Sequence, residues 1–148
     1  MQPLDGSETL VIDCSVTMAW YFKDEATPYT NAVRAALATE RAAVPALWPL
    51  EVANVLLMGE RRKRSTQAKA TKWLRFLAAL PIAIDTQTSG LAFDPILGLA
   101  RNHKLTAYDA AYLELAMRLG LPLAARDDAL EKAAAAVGVI LFTPPGTP

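Results

Sequence analysis

The chain has 148 residues, with Lys+Arg and Asp+Glu equal at 15 each and hydrophobic residues at 53%. That length holds one domain around a single core, and the apolar content excludes a disordered chain. Balanced charge excludes a uniformly basic nucleic-acid binder, leaving local clusters of charge as the feature to look for.

The one cysteine, Cys14, allows no intramolecular disulfide and suits a reducing, cytoplasmic setting. Residues 1–8 show neither the basic start nor the apolar stretch of a secretory signal. No apolar run approaches the ~20 residues of a membrane span, so no membrane partner is expected.

In chain order, residues 1–8 read as a flexible tail. Residues 10–15 are a strand whose consecutive Leu10, Val11 and Ile12 suit burial on both faces, as in a parallel sheet. The pattern then predicts a short helix over 17–23, with Ser15 or Thr17 as its cap, a polar turn over 24–28 and a helix over 29–39. A second strand is expected over 42–46. A helix follows from about Pro49, ending in the cations Arg61, Arg62, Lys63 and Arg64, which suit a helix C-terminus.

Another helix is expected over 66–80, with Trp73, Leu74, Leu77 and Leu80 facing inward and Pro81 stopping it. A third strand over 82–85 leads to a helix over 88–102 whose start is disturbed by Pro95. A strong helix over 107–119 is closed by Gly120. A fourth strand over 121–125, a helix over 128–137 and a fifth strand over 139–143 complete the chain, before a Pro-rich tail over 144–148. Strands alternate with helices throughout. The class is therefore α/β, a three-layer α/β/α sandwich with a mainly parallel, about five-stranded sheet in one domain spanning 9–143.

Right-handed crossovers bring the C-terminal end of each strand, and the start of the helix after it, to one edge of such a sheet. Four acids belong to that edge: Asp13 at the end of the first strand, Glu51 in the first turns of its helix, Asp109 in the first turn of the helix over 107–119, and Asp127 directly after the fourth strand. Clustered carboxylates repel one another, and hard divalent cations such as Mg²⁺ or Mn²⁺ relieve that repulsion. Each acid also has an ordinary structural reading. Asp13 can close a strand through an Asx turn, and Glu51 can answer the helix dipole. Thr106-x-x-Asp109 is close to a capping box, and Asp127 can cap its helix. A structural role does not require all four to share one edge.

Ile12-Asp13-Cys14-Ser15, Glu51-Val52-Ala53-Asn54, Leu105-Thr106-Ala107-Tyr108-Asp109-Ala110-Ala111-Tyr112 and Asp127-x-x-Leu130 together resemble the four signature segments of the PIN domain. Their order and spacing are most similar to the VapC toxins, the ribonuclease half of bacterial toxin–antitoxin pairs. The resemblance covers roughly residues 9–143. It implies that Asp13, Glu51, Asp109 and Asp127 form a metal site for Mg²⁺, with Mn²⁺ able to substitute. It further implies that Ser15 and Asn54 hydrogen-bond around that site. The implied activity is metal-dependent endoribonuclease cleavage leaving a 3′-hydroxyl and a 5′-phosphate. The implied partners are an RNA substrate, a cognate antitoxin that places a segment in the acidic site, and a second copy in a homodimer.

One departure stands at Ala125, where the family often carries Thr or Ser two residues before the fourth acid. Asp127 thereby lacks a supporting hydroxyl, and Asp128 beside it is an alternative for the same role.

From Arg61 to Arg75 there are seven cations and no acid, so Arg61, Arg62, Lys63 and Arg64 are candidate RNA-phosphate contacts; a solvated helix end explains them equally well. His103 has no second His or Cys at ligand spacing, which argues against zinc. Two other functions share the expected architecture. A non-catalytic interaction module is favoured only by Ala125. A phospho-accepting receiver would carry adjacent acids after the first strand and a Lys after the last, and this chain has neither.

Overall fold

Leu10, Val11 and Ile12 are fully buried and form the strand beside which the rest of the sheet is laid. The computed structural model of the protein describes residues 1–146. Its sheet has five parallel strands: β1 (Gln2–Pro3), β2 (Leu10–Ile12), β3 (Ala42–Val44), β4 (Ile82–Ile84) and β5 (Leu123–Ala124), in the order β1-β4-β3-β2-β5. Seven α-helices pack with it among the described residues: α1 (Cys14–Ala19), α2 (Pro28–Ala36), α3 (Trp48–Arg61), α4 (Gln67–Ala78), α5 (Leu97–His103), α6 (Ala107–Leu119) and α7 (Asp128–Ala136). The class is α/β and the architecture the expected three-layer sandwich.

Chain order fixes where a ligand can enter. From β2 the chain steps outward to β3 and β4, then returns through α6 to place β5 on the other side of β2. The crevice at such a reversal, beyond the carboxyl ends of the strands, is where open α/β sheets bind ligands. Asp13 follows β2 and Asp127 lies between β5 and α7, so both border it.

Local chemistry explains the helix limits. Thr27 and Thr30 form a reciprocal capping box at α2, with Pro28 in its first turn. Thr66 and Thr106 cap α4 and α6 with their hydroxyl oxygens. Gly120 ends α6 at φ 66°, in the left-handed region that glycine enters without a Cβ penalty. The first helix is the main displacement from expectation. It begins at Cys14 and is capped by the carboxylate of Asp13, which accepts from the Val16 N–H at 2.9 Å. Neither Ser15 nor Thr17 is the cap.

The two sheet edges also differ from expectation. Residues 139–143 make a single parallel bridge, Leu123 to Leu141, instead of a strand. The fifth strand is Gln2–Pro3, within the segment expected as a tail, pairing Gln2 with Ala83 and Pro3 with Ile84. Pro3 is tolerated there because β1 is an edge strand, paired on one side only. Arg41 ties this edge down, donating to the Pro3 carbonyl at 3.2 Å and ion-pairing with Asp5 and Glu8 at 3.5 and 3.4 Å. The stretch around Pro95 begins with a 3₁₀ turn, Thr88–Leu91, and becomes regular only at Leu97. Among the described residues no helix is long and apolar enough to cross a membrane.

Candidate active site

Asp13 is carried to the sheet edge by a strand whose three residues are wholly buried, and it is itself only 3% exposed. Its carboxylate is held from two sides. The Val16 N–H donates to Oδ1 at 2.9 Å, and the Ser15 hydroxyl donates at 2.9 Å to Oδ1 and 3.0 Å to Oδ2. Glu51 comes from the first turn of α3. The start of that helix is linked to Asp13 through two buried bonds. The Trp48 indole N–H donates to the Thr17 hydroxyl at 3.0 Å, and that hydroxyl donates to the Asp13 carbonyl at 3.1 Å. Trp48, 2% exposed, is therefore a core residue that also sets the site.

Asp109 comes from the first turn of α6, and its N–H donates to the Thr106 hydroxyl at 3.1 Å. The Tyr112 hydroxyl, one turn on, donates to Glu51 Oε1 at 2.6 Å. Asp127 caps α7, accepting from the Leu130 N–H at 2.9 Å.

These four acids line one cleft of about 390 Å³ together with Cys14, Ser15, Met18, Val55 and Glu25. For Asp13 and Asp127 the structural and functional readings are compatible, since each caps a helix and faces the cleft. Asn54 is exposed and lines the neighbouring groove with Leu50, Leu57, Tyr108 and Glu51, the acid that both grooves share. Asp128 is exposed in the first turn of α7 and is not among the groups lining the acidic cleft. Arg61, Arg62 and Lys63 are exposed at the end of α3. Arg64 is engaged elsewhere, donating to Asp24 and Glu25 at 3.1 Å and stacking 4.1 Å over the Phe22 ring.

Glu25 is the cleft residue that sequence reasoning passed over. It lies in a 3₁₀ turn, Lys23–Glu25, within a stretch that reads as an ordinary polar turn. Its position depends on Arg64 and Arg126, 39 and 101 residues away, so no local pattern marks it.

The electrostatics follow from crowding and burial. Burial pushes the Asp13 carboxyl from 3.8 up to about 7, against the Val16 and Ser15 hydrogen bonds, and the charges of Asp109 and Glu51 add to the rise. Burial likewise raises Glu51, partly offset by the Tyr112 hydroxyl, with Asp109 adding repulsion. Asp109 is raised by burial and then by Asp127. The Cys14 thiol is pushed to about 12 by burial and by the carboxylates around it, so it stays protonated and is no nucleophile.

A site that disfavours its own negative charge in this way has room for a cation. Its four acids are hard oxygen donors with no His beside them, which suits Mg²⁺ or Mn²⁺ better than zinc. Among the described residues no three acidic, His or Cys side chains stand close enough to enclose a bare ion.

The PIN domain family matches residues 10–136, spanning β2 to α7 and containing all four acids. The chain belongs to the PIN-domain family. This PIN domain resembles two solved structures. PAE2754 from Pyrobaculum aerophilum superposes with a TM-score of 0.65 at 23% identity, covering 86% of this chain and 85% of that one. FitAcB from Neisseria gonorrhoeae superposes with a TM-score of 0.60 at 18% identity, covering 94% of this chain and 100% of that one. At these identities the likeness is one of fold. No curated protein matches the sequence.

Proposed function

We propose that this PIN domain is a Mg²⁺-dependent endoribonuclease, with Mn²⁺ able to substitute, and that it is the toxin of a VapC-like toxin–antitoxin pair. The observation that carries the reading is the convergence of Asp13, Glu51, Asp109 and Asp127 on one cleft whose mutual repulsion a cation would relieve. When bound, the cation supplies charge neutralisation at the phosphodiester and acidifies water.

The chain's own residues do the rest. Asp13 is locked in one orientation by Ser15 and Val16, and Glu51 by Tyr112, so that both are preorganised as ligands. The side chains of Met18 and Val55 form a drier wall, which strengthens charge interactions in the cleft. Asn54 shares the adjoining groove with Glu51, where it supports that acid or meets substrate or partner. Arg61, Arg62 and Lys63 are free to contact RNA phosphates at the end of α3. An exposed apolar stripe beside Glu51, with Leu50 at 75%, Tyr108 at 64% and Leu57 at 41% exposure, supports a protein partner, either antitoxin or second copy.

The test is incubation of the protein with total cellular RNA in Mg²⁺, Mn²⁺ or EDTA, with Asp13→Asn alongside. Discrete products ending in 3′-hydroxyl and 5′-phosphate are expected only with metal and only from the parent. Cleavage that persists in EDTA or in Asp13→Asn would overturn the reading. A folded protein whose melting temperature ignores metal, and which cuts nothing, would instead be the non-catalytic module.

A further inference from the structure

Glu25 lies outside the four-acid set yet lines the same cleft. Its two oxygens face two cations. Oε2 accepts from Arg64 Nη2 at 3.1 Å, and Oε1 lies 3.9 Å from Arg126 Nη1. The two arginines are held very differently. Arg64 is pinned by Asp24, by Glu25 and by its stack on Phe22. Among the described residues, the ion pair that Arg126 makes is the long contact to Glu25, beyond hydrogen-bond reach, and its side chain is 30% exposed. It also immediately precedes Asp127 in the loop between β5 and α7.

A cleft of carboxylates repels a polyanion, so a strand entering it needs a cation besides any metal. A guanidinium can grip a phosphate with two parallel N–H bonds. Exchanging a 3.9 Å carboxylate contact for such a grip loses little.

We propose that Arg126 binds a backbone phosphate of the RNA at the mouth of the acidic cleft, and that Glu25 is a positioning residue that holds its guanidinium until phosphate displaces it. The proposal rests on the nuclease reading. It gives the two residues opposite signs: loss of Arg126 weakens RNA binding, and loss of the Glu25 charge strengthens it, but only while Arg126 is present.

The experiment is fluorescence anisotropy of a labelled, mixed-sequence single-stranded RNA oligonucleotide, titrated in Mg²⁺ at several salt concentrations. The Asp13→Asn background is used so that binding is read without cleavage. Arg126→Ala should weaken binding about tenfold and lower the slope of log K against log salt by about 1, with Arg126→Lys between the two. Glu25→Gln should tighten binding severalfold. Asp24→Asn removes the same charge from the Arg64 side alone and should change nothing. In the double variant the gain from Glu25→Gln should vanish, which separates an action through Arg126 from a general loss of negative charge. An unchanged salt slope in Arg126→Ala, or an equal gain from Glu25→Gln with and without Arg126, would overturn the proposal and leave the nuclease reading standing. No RNA binding by the background protein, together with no cleavage by the parent, would overturn both. Melting temperatures of all variants identify any loss due to unfolding.

Discussion

The Tyr112 hydroxyl donates to Glu51 Oε1 at 2.6 Å, joining α6 to α3 beside the cleft. Tyr112 is only 1% exposed, and burial with the neighbouring Glu51 charge raises its phenol well above the usual range, so it remains a donor. The helix that brings Asp109 to the site thus also orients Glu51. For Tyr112→Phe we expect Glu51 to rise further, because the hydroxyl is what partly offsets its burial. Stability should fall by about 1–2 kcal/mol and divalent-metal affinity by roughly 10- to 100-fold. Calorimetric Mn²⁺ titration and thermal melts check both. Unchanged metal affinity would remove Tyr112 from the site.

Asp13 makes the metal-free protein less stable as pH rises. Its carboxyl stands near 3.8 in an unfolded chain and at about 7 in the native state. The native state therefore holds the proton more tightly. The associated stability is fully present below 3.8 and is lost as pH rises through about 7, a change of about 4 kcal/mol. Asp13→Asn cannot titrate and should melt higher than the parent at pH 8 in EDTA, with the gap closing toward pH 4. Added metal, which needs the ionised form, should stabilise the parent more at pH 8 than at pH 5. Melts that show the parent gaining stability between pH 5 and pH 8 in EDTA would contradict this.

Away from the cleft, Arg118 holds two buried carboxylates. It donates to Asp85 at 2.7 and 3.2 Å and to Glu114 at 2.8 and 3.1 Å, and both acids are 5% exposed or less. Arg118→Met leaves both uncompensated and should cost about 3–5 kcal/mol in urea denaturation at pH 7. Retention of full stability at pH 7 would mean water compensates these acids.

Two helical glycines should respond to alanine with opposite signs. A Cβ on Gly59 in α3 would meet Phe22 Cζ at 2.9 Å, and the ring is buried beneath Arg64. Gly59→Ala should destabilise by about 1–3 kcal/mol through overpacking. A Cβ on Gly98 in α5 meets nothing within 4 Å. Gly98→Ala should stabilise by about 0.5–1 kcal/mol through helix propensity and a less flexible unfolded chain. Denaturation midpoints of the pair decide it.

The fold was legible where the signal is local and strong. The helix over 107–119 runs as its pattern indicates, because Thr106 and Gly120 mark its ends. The buried run Leu10–Ile12 names the strand that bears Asp13. Legibility failed where a long-range partner decides. Residues 139–143 have the composition of a strand, but only Leu141 bridges to Leu123. Gln2 and Pro3 have poor strand character, and Arg41 and β4 recruit them. Tyr108 and Tyr112 look alike at helical spacing, yet one is 64% exposed and the other 1%, because Tyr108 lies in the first turn beyond the packed stretch Ala110–Ala116.

By itself the sequence determined the α/β class and which acids gather at one edge of the sheet, because periodicity, caps and strand-end positions are local properties of the chain. Only the tertiary structure decided what those acids experience. The rise of Asp13 to about 7 depends on burial and on acids 38 and 96 residues away. The hold of Tyr112 on Glu51 and the sharing of Glu25 between Arg64 and Arg126 join residues 39 to 101 positions apart. Desolvation, Coulomb interaction and hydrogen bonding act across space, and a linear pattern carries no record of those distances.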